Sequence, residues 1–151
     1  MTTMPDLTEH PPLKLVLDTN IALDFLVFDD ASLQPLKALL AQQGAILYAN
    51  AHTLGELARV LAYPRLALPP AVALEMLGRY AALCTHHEGT DALHTLPQCH
   101  DPDDQPFIEL AARIPADALL SKDKAVLSLG RQRYQAQLGF RIATPRQFFA
   151  A

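Results

Sequence analysis

Acidic side chains stand at four points of this chain where a divalent cation could be bound. Asp18 and Asp123 each follow a short apolar run, Glu56 lies near the start of a predicted helix, and residues 101–104 contain three further aspartates. Carboxylate oxygens are hard ligands that suit Mg²⁺ or Mn²⁺, which proteins usually hold with a few carboxylates and several waters. The residue types therefore indicate metal-dependent chemistry if these four points meet in the fold.

Two of these positions also have a structural explanation. Asp is a favoured N-cap residue, so capping and chemistry explain Asp18 equally well. Thr53 and Glu56 fit the T-x-x-E capping box of a helix with Thr53 as its N-cap. The two roles of Glu56 are compatible, because a capping glutamate and a metal-facing glutamate both point toward the helix N-terminus.

The run DPDDQP at 101–106 predicts the start of a helix. Pro106 lacks a backbone N–H and fits only near a helix start, which puts the N-cap near Asp103 or Asp104. One aspartate is enough for a cap. Three aspartates within four residues indicate a turn or a cation site, and the cation site is favoured.

Strands that alternate with helices would bring these acids together. Short apolar runs predict buried strands at 15–17, 45–49, 118–120 and 140–143. The alternation predicts the α/β class, as a three-layer α/β/α sandwich with a mainly parallel sheet of four to five strands. Ligand sites of such sheets lie at the carboxyl ends of the strands, where Asp18 and Asp123 fall.

Two further segments carry local predictions. Ile21, Phe25 and Phe28 have the spacing of one helical apolar face. The segment 86–101 has no clear period, which predicts a loop with a short extended piece around residues 92–96.

Composition limits the class of protein. The 151 residues are 50% hydrophobic and 19% charged, which provides enough apolar material for one core. We expect a flexible leader over residues 1–12 and a single domain over residues 13–151. The chain has no apolar run approaching the roughly 18 residues of a membrane span, no signal-peptide pattern and no close cysteine pair, so we expect a reduced, cytoplasmic protein.

Charge is distributed unevenly along the chain. The net charge of −4 argues against a simple basic nucleic-acid binder, yet the segment 113–151 holds seven of the 12 Lys and Arg residues. This asymmetry predicts a phosphate-binding face or an ordinary solvated surface. The combined charge of four acids equals the net charge of −4, so one metal pocket could account for all of it. These acids are Asp18, Glu56, Asp104 and Asp123.

These segments resemble the PIN-domain family over most of the chain, from about residue 13 to residue 149. The matching pieces are VLDTN (16–20), TLGELARVL (53–61), DPDDQPFIELA (101–111), LLSKD (119–123) and TPRQFF (144–149). The last piece resembles the ending of a subfamily of toxins from toxin–antitoxin pairs, the VapC-like ribonucleases. The pieces are individually short, and their order and spacing make the resemblance specific.

The resemblance implies a metal-dependent endoribonuclease that is the toxin of a toxin–antitoxin pair. Mg²⁺ or Mn²⁺ would activate water to hydrolyse RNA, which is expected to be single-stranded, and an antitoxin protein would be the partner. The catalytic metal ligands would be Asp18, Glu56, Asp104 and Asp123. The supporting residues would be Asn20, Asp101, Asp103 and Ser121. Either Asp101 or Asp103 could share the role of Asp104, and a homodimer is left open.

Basic residues near the C-terminus are expected to guide RNA phosphates toward the metals. These residues are Lys122, Lys124, Arg131 and Arg133. Lys122 lies inside the last acidic piece, where it would contact a phosphate or weaken metal binding. Because divalent ions would offset the carboxylates, the bases would then attract the RNA strand.

Two other interpretations stay open. A zinc site could use the neighbouring donors His86, His87, His94, Cys99 and His100. Their spacing is not that of a zinc finger, and a polar loop explains them better. The second interpretation is a non-catalytic module that binds metal or nucleic acid and retains a PIN-like fold.

Overall fold

The computed structural model describes residues 11–89, 96–99, 101–131 and 138–150. Most of the predicted leader (1–12) and of the predicted extended piece around 92–96 lies outside these residues. The strands are β1 Leu13–Leu17, β2 Ala45–Ala49, β3 Thr85–His86, β4 Ala118–Leu120 and β5 Arg141–Ala143. The α-helices in the described ranges are α1 Thr19–Leu26, α2 Gln34–Ala41, α3 Ala51–Leu61, α4 Pro70–Leu83, α5 Gln105–Arg113, α6 Lys124–Leu129 and α7 Pro145–Phe149. Short 3₁₀ helices lie at Ala31–Leu33 and Pro64–Leu66.

The strands form one parallel sheet in the order β3-β2-β1-β4-β5. Leu15 of the central strand β1 pairs with Leu47 on one side and with Ala118 on the other. The chain builds from β1 out to β3 and then returns to the other side of β1 with β4 and β5. The direction of winding therefore changes between β1 and β4, and α/β proteins bind ligands in the crevice at such a switch point.

Helices cover both faces of the sheet. Leu15 and Leu17 of β1 lie in one core with residues of α1 to α4, such as Leu57. Val16 of the same strand lies in a second core with residues of α5 and α6, such as Ile108. The predicted three-layer α/β/α architecture is confirmed, with every strand pair parallel. Within the described ranges, the longest and most apolar helices still fall short of what a membrane crossing needs.

The predicted capping box of α3 is wrong. Asn50 is the N-cap, because its side chain accepts a hydrogen bond from Thr53 N at 2.9 Å and Thr53 Oγ1 accepts one from Asn50 N at 3.0 Å. Thr53 is thus the third residue of the helix, and Glu56 lies almost a full turn beyond it. Glu56 makes no contribution to the cap, so capping does not explain this residue.

The helical apolar face predicted at Ile21, Phe25 and Phe28 holds for the first two residues but not for Phe28. Ile21 is buried and Phe25 packs against the first core, but Phe28 is 57% exposed. The reason is that α1 stops at Leu26 and the backbone turns into the left-handed region at Asp29, with φ of 46°. Phe28 therefore faces solvent instead of the core.

An edge strand overlaps the first residue of the segment 86–101 that was predicted as a loop. Tyr48 and Ala49 of β2 pair with Thr85 and His86, which form β3. Both residues of β3 are exposed and the strand is two residues long. Such a strand is defined by pairing with its neighbour, which a local apolar pattern does not reveal.

Candidate functional site

The carboxyl ends of β1 and β4 open into an acidic cleft of about 280 Å³. Its acidic lining residues are Asp18, Glu56, Asp101, Asp103, Asp104 and Asp123. Its other lining residues are Thr19, Asn20, Arg59, Val60, Tyr63 and Arg65. The fold thus brings the four predicted metal ligands into one cleft, together with Asn20 and both alternatives to Asp104.

Asp18 is held on two sides at the end of β1. Its Oδ1 accepts a hydrogen bond from Ile21 N at 2.9 Å, and its Oδ2 accepts one from Ser121 Oγ. The residue is only 4% exposed, and this burial raises the pKa of Asp18 to about 6 although both hydrogen bonds lower it. Asp123 adds to the increase and Lys122 opposes it. Asp18 therefore caps α1 and also lines the cleft.

Ser121 connects the acidic ends of β1 and β4. It is fully buried, and its Oγ donates to Asp18 while accepting a hydrogen bond from Asp123 N at 3.0 Å. Asp123 in turn caps α6, because its Oδ1 accepts from Ala125 N at 2.8 Å. Each of these two aspartates is fixed by a helix N-terminus and by the same serine. The negative charge of Asp123 is near enough to Asp18 to contribute to the raised pKa of that carboxyl group.

Asp104 has no comparable structural role. It is the N-cap residue of α5, but its side chain makes no capping hydrogen bond. Partial burial, followed by the charges of Asp123, Asp101, Asp18 and Asp103, raises the pKa of Asp104 to about 6. Asp101 shapes the turn by accepting a hydrogen bond from Asp103 N at 2.9 Å, and both of these residues are exposed. Asp104 is thus the partly buried carboxylate of the run.

Glu56 is paired with a cation that the sequence analysis missed. Arg59 Nη2 lies 2.6 Å and 2.7 Å from the two carboxylate oxygens of Glu56. The i,i+3 spacing could have indicated this pair. Only the fold reveals that Arg59 lines the acidic cleft, as does Arg65 in the following 3₁₀ helix.

Three of the predicted RNA-binding residues are described by the structure, and none of these three lines the cleft. Lys122 Nζ donates to Asp24 Oδ2 at 2.7 Å, in a pair that lines a neighbouring cavity. Lys124 and Arg131 are exposed, and Arg133 lies outside the described residues. The cations that line the acidic cleft itself are Arg59 and Arg65.

Comparison with known proteins assigns the chain to a family. A family model for the PIN domain matches residues 14–125, a range that contains all four acidic segments. The chain belongs to the PIN-domain family. Members of this family are generally nucleases, and the acidic cleft at the sheet's switch point is the part of this PIN domain suited to such chemistry.

A solved structure shares the fold of this PIN domain. It is the crystal structure of VapBC2 from Rickettsia felis bound to a DNA fragment from their promoter, one chain of which superimposes with a TM-score of 0.58 at 11% identity. The superposition covers 86% of this chain and 97% of that chain. At this identity the similarity concerns the fold alone. No curated protein matches the chain.

The zinc interpretation gains no support from the described part of this PIN domain. His86 Nε2 lies 2.9 Å from Ala81 O, and His87 Nδ1 accepts a hydrogen bond from Gly89 N at 3.3 Å. His94 and His100 lie outside the described residues. No three His, Cys, Asp or Glu side chains of the residues described are grouped closely enough to hold one ion as they stand.

The donor set of the cleft fits a hard divalent cation. The pKa values of Asp18 and Asp104 are raised because burial and neighbouring acids destabilise the ionised carboxylates. A nearby cation would stabilise these ionised forms. Thr19 lines the same cleft, and its Oγ1 is a buried polar atom without a hydrogen-bond partner among the described residues. Binding an ion requires some carboxylates to rotate toward each other, and Glu56 must leave Arg59.

Acidification should stabilise the metal-free PIN domain. The folded pKa values of Asp18 and Asp104 are about 6, above the ordinary value of 3.8, so the folded state binds more protons between about pH 4 and 6. The free energy of unfolding should therefore fall as pH rises through this window and level off above it. Urea denaturation with a chelator at several pH values measures this profile.

Asp18→Asn serves as the diagnostic variant for that profile. It retains the shape and capping ability of the side chain and should raise stability at pH 7 by up to about 3 kcal/mol, at about 1.36 kcal/mol per pKa unit. Glu75→Gln, which changes an exposed carboxylate on α4, is the matched control. Stability that rises from pH 4 to 6, or an Asp18→Asn protein that is less stable at pH 7, would contradict the raised pKa values of the two carboxyl groups.

Arg59→Ala should increase the affinity for Mn²⁺ several-fold. The substitution removes one positive charge from the cleft and frees the Glu56 carboxylate, and both changes favour a cation. Calorimetric titration of Mn²⁺ provides the measurement. Arg79→Ala is the control, because it breaks the exposed Glu75–Arg79 pair on α4 at 3.3 Å and removes the same charge elsewhere. Equal or weaker Mn²⁺ binding by Arg59→Ala would exclude competition between Arg59 and the ion.

Proposed function

We propose that this PIN domain is an endoribonuclease that depends on Mg²⁺ or Mn²⁺. The observation that carries the proposal is the buried Asp18 carboxylate at the switch point of the sheet, close to Asp104 and Asp123. Like charges in a partly buried cleft are unfavourable unless a cation compensates them. Carboxylates with strongly raised pKa values in a cleft are typical of functional sites.

The metal ligands are proposed to be Asp18, Glu56, Asp104 and Asp123. The ion that they bind would supply an activated water and would stabilise the charge that develops on the attacked phosphate. Among the three neighbouring aspartates we assign this role to Asp104, because its carboxylate is partly buried and makes no cap. Asp101 and Asp103 then have supporting roles in the turn that precedes α5.

Several neighbouring residues would position the ligands. Ser121 fixes the orientation of Asp18 and of the Asp123 backbone through its hydroxyl group. Asn20 is exposed in the wall of the cleft, where its amide can donate a hydrogen bond to a phosphate oxygen. Thr19 Oγ1 is buried beside the cleft without a hydrogen-bond partner among the described residues, so it could donate to a ligand that enters the site.

The proposed substrate is single-stranded RNA. The residues proposed to guide its phosphates are Lys122, Lys124, Arg131 and Arg133. Lys124 and Arg131 are exposed, which such a role requires. Arg133 lies outside the described residues, and only the sequence pattern supports its inclusion. Because the cleft is acidic, RNA should bind it productively only when a divalent ion compensates the carboxylates.

The biological role proposed is that of a toxin with a cognate antitoxin protein. Two observations support it: the shared fold with a chain of VapBC2 from Rickettsia felis, and the TPRQFF segment that resembles the ending of such toxins. A homodimer is compatible with this role. A toxin that cleaves RNA would act in the cytoplasm.

A non-catalytic module is the second candidate function. The observation that favours it is the close pairing of Glu56 with Arg59, which occupies one proposed ligand. Such a module would bind metal or RNA in the same cleft without cleaving. Cleavage separates the two candidates.

Purified protein with Mn²⁺ should cleave a fluorescent single-stranded RNA, and excess chelator should abolish the cleavage. Asp18→Asn and Asp104→Asn should each lower the rate by about a hundredfold or more, because the stabilisation of transition-state charge is lost. Gel analysis of timed samples measures the rate. The purity control is Asp104→Asn prepared in parallel, since a contaminating ribonuclease would be equally active in both preparations.

Glu75→Gln, an exposed substitution on α4, should cleave at the wild-type rate. If folded Asp104→Asn cleaved like the wild type and chelator abolished that cleavage, the assigned site would be wrong, whereas equal cleavage that survives chelator would indicate the contaminant. If the wild type bound Mn²⁺ and RNA without cleaving, the protein would be the non-catalytic module.

A further inference from the structure

A second cavity adjoins the acidic cleft. Its volume is about 300 Å³, and it shares Asn20 and Arg65 with the cleft. Phe28 and Lys122 line this cavity but not the cleft. A strand that occupied the cleft would reach this cavity by passing Asn20 and Arg65. The two cavities thus form one continuous surface with different chemistry at its two ends.

Phe28 presents an aromatic ring to this cavity from an ordered turn. The side chain is 57% exposed, although its sequence neighbours in α1 face the core. Phe28 N donates to Leu23 O at 3.2 Å, and Asp30 N donates to Asp24 O at 3.0 Å, so the backbone is fixed on both sides of the ring. An exposed aromatic ring on a fixed turn is suited to binding a flat partner at a low cost in conformational entropy.

The charge of the second cavity is opposite to that of the cleft. Arg65 and Lys122 contribute two positive charges and Asp24, which pairs with Lys122 at 2.7 Å, contributes one negative charge. The guanidinium of Arg65 lies 5.5 Å from the ring centroid of Tyr63, a cleft residue, which holds the cation at the boundary of the two cavities. This end of the surface therefore attracts an anion, whereas the carboxylate end requires a cation.

We propose that the second cavity is a nucleotide subsite for single-stranded RNA. The base of the nucleotide next to the cleaved bond stacks on Phe28, and its phosphate contacts Arg65 and Lys122. An aromatic face beside two cations matches the chemistry of an unpaired nucleotide, which has a π-face and a negative phosphate. Paired bases cannot stack in this way, so the subsite selects single strands. The proposal depends on the ribonuclease function proposed above.

The test combines substitutions of Phe28 with loss of single bases from the RNA. Phe28→Ala should lower kcat/KM for a short single-stranded RNA by about 5- to 150-fold, through KM, because stacking on one base is lost. Phe28→Tyr should retain wild-type kcat/KM, and Phe28→Leu, which is apolar without a π-face, should resemble Phe28→Ala. Leu74→Ala is the matched control, because Leu74 is 70% exposed and lies on α4 outside this cavity.

Abasic nucleotides identify the occupant of the cavity. At one position next to the cleaved bond, removing the base should lower kcat/KM of the wild type by the same factor by which Phe28→Ala lowers it on intact RNA. The same abasic RNA should cause no additional loss of kcat/KM in Phe28→Ala. Such coupling of two single changes indicates direct contact. Equal losses in the wild type and in Phe28→Ala at every position would overturn the subsite.

The salt dependence of RNA binding tests the phosphate contact. Arg65→Ala should reduce the slope of log affinity against log salt by about 0.7 for the lost contact on a single strand. An unchanged slope and affinity would overturn this part of the subsite.

The possible failures are distinguishable. If the wild type did not cleave RNA, the proposed function and the subsite would both be overturned. If the wild type cleaved RNA and Phe28→Ala had the same KM, only the subsite would be overturned, and the exposed ring would be assigned to a protein contact.

Discussion

The burial of the Asp18 carboxylate is the constraint on which the rest of the site depends. The residue directly follows the central strand of the sheet and is 4% exposed, and Asp123 lies just beyond the adjacent strand β4. Burial opposes the ionised form of Asp18, and hydrogen bonds from Ile21 N and Ser121 Oγ offset only part of that cost. A fold that maintains such a carboxylate retains a local destabilisation, and destabilising features of this kind are typically found where function requires them.

The other charged groups can be understood from this constraint. Asp104 adds a further partly buried carboxylate, and its pKa is raised by burial and by the surrounding acids. Arg59 compensates Glu56 at the outer wall of the cleft, while Lys122 is directed to Asp24 in the adjacent cavity. Among the described residues, Asp18, Asp104 and Asp123 form no ion pair with a protein cation, although the charge of Lys122 lowers the pKa of Asp18 somewhat. A divalent ion would supply the missing positive charge.

The architecture and the acidic cleft could be predicted because both depend on local patterns. Apolar runs followed by polar residues identified β1 and β4 and put Asp18 and Asp123 at their carboxyl ends. The capping box at Thr53 was predicted wrongly because Asn50, a stronger N-cap residue three positions earlier, forms the box instead. The edge strand Thr85–His86 was missed because pairing with β2, and not its own sequence, defines it.

Features that depend on tertiary structure could not be predicted in this way. The spacing of Phe28 indicates a core position, but α1 ends at Leu26 and the ring becomes exposed. The pairing of Arg59 with Glu56 is consistent with their spacing, whereas its position in the wall of the cleft depends on how α3 packs against the sheet. The neighbouring cavity at Arg65 is formed by segments far apart in the sequence.

Anomalous X-ray diffraction at the manganese edge, from crystals grown with Mn²⁺, tests directly whether the acidic cleft is a metal site. An anomalous difference map locates the ion without reference to any proposed ligand. The arrangement of the cleft predicts a peak within bonding distance of Asp18, Asp104 and Asp123, and no such peak in crystals of Asp104→Asn. A peak elsewhere on the molecule, or none in the cleft at saturating Mn²⁺, would contradict it.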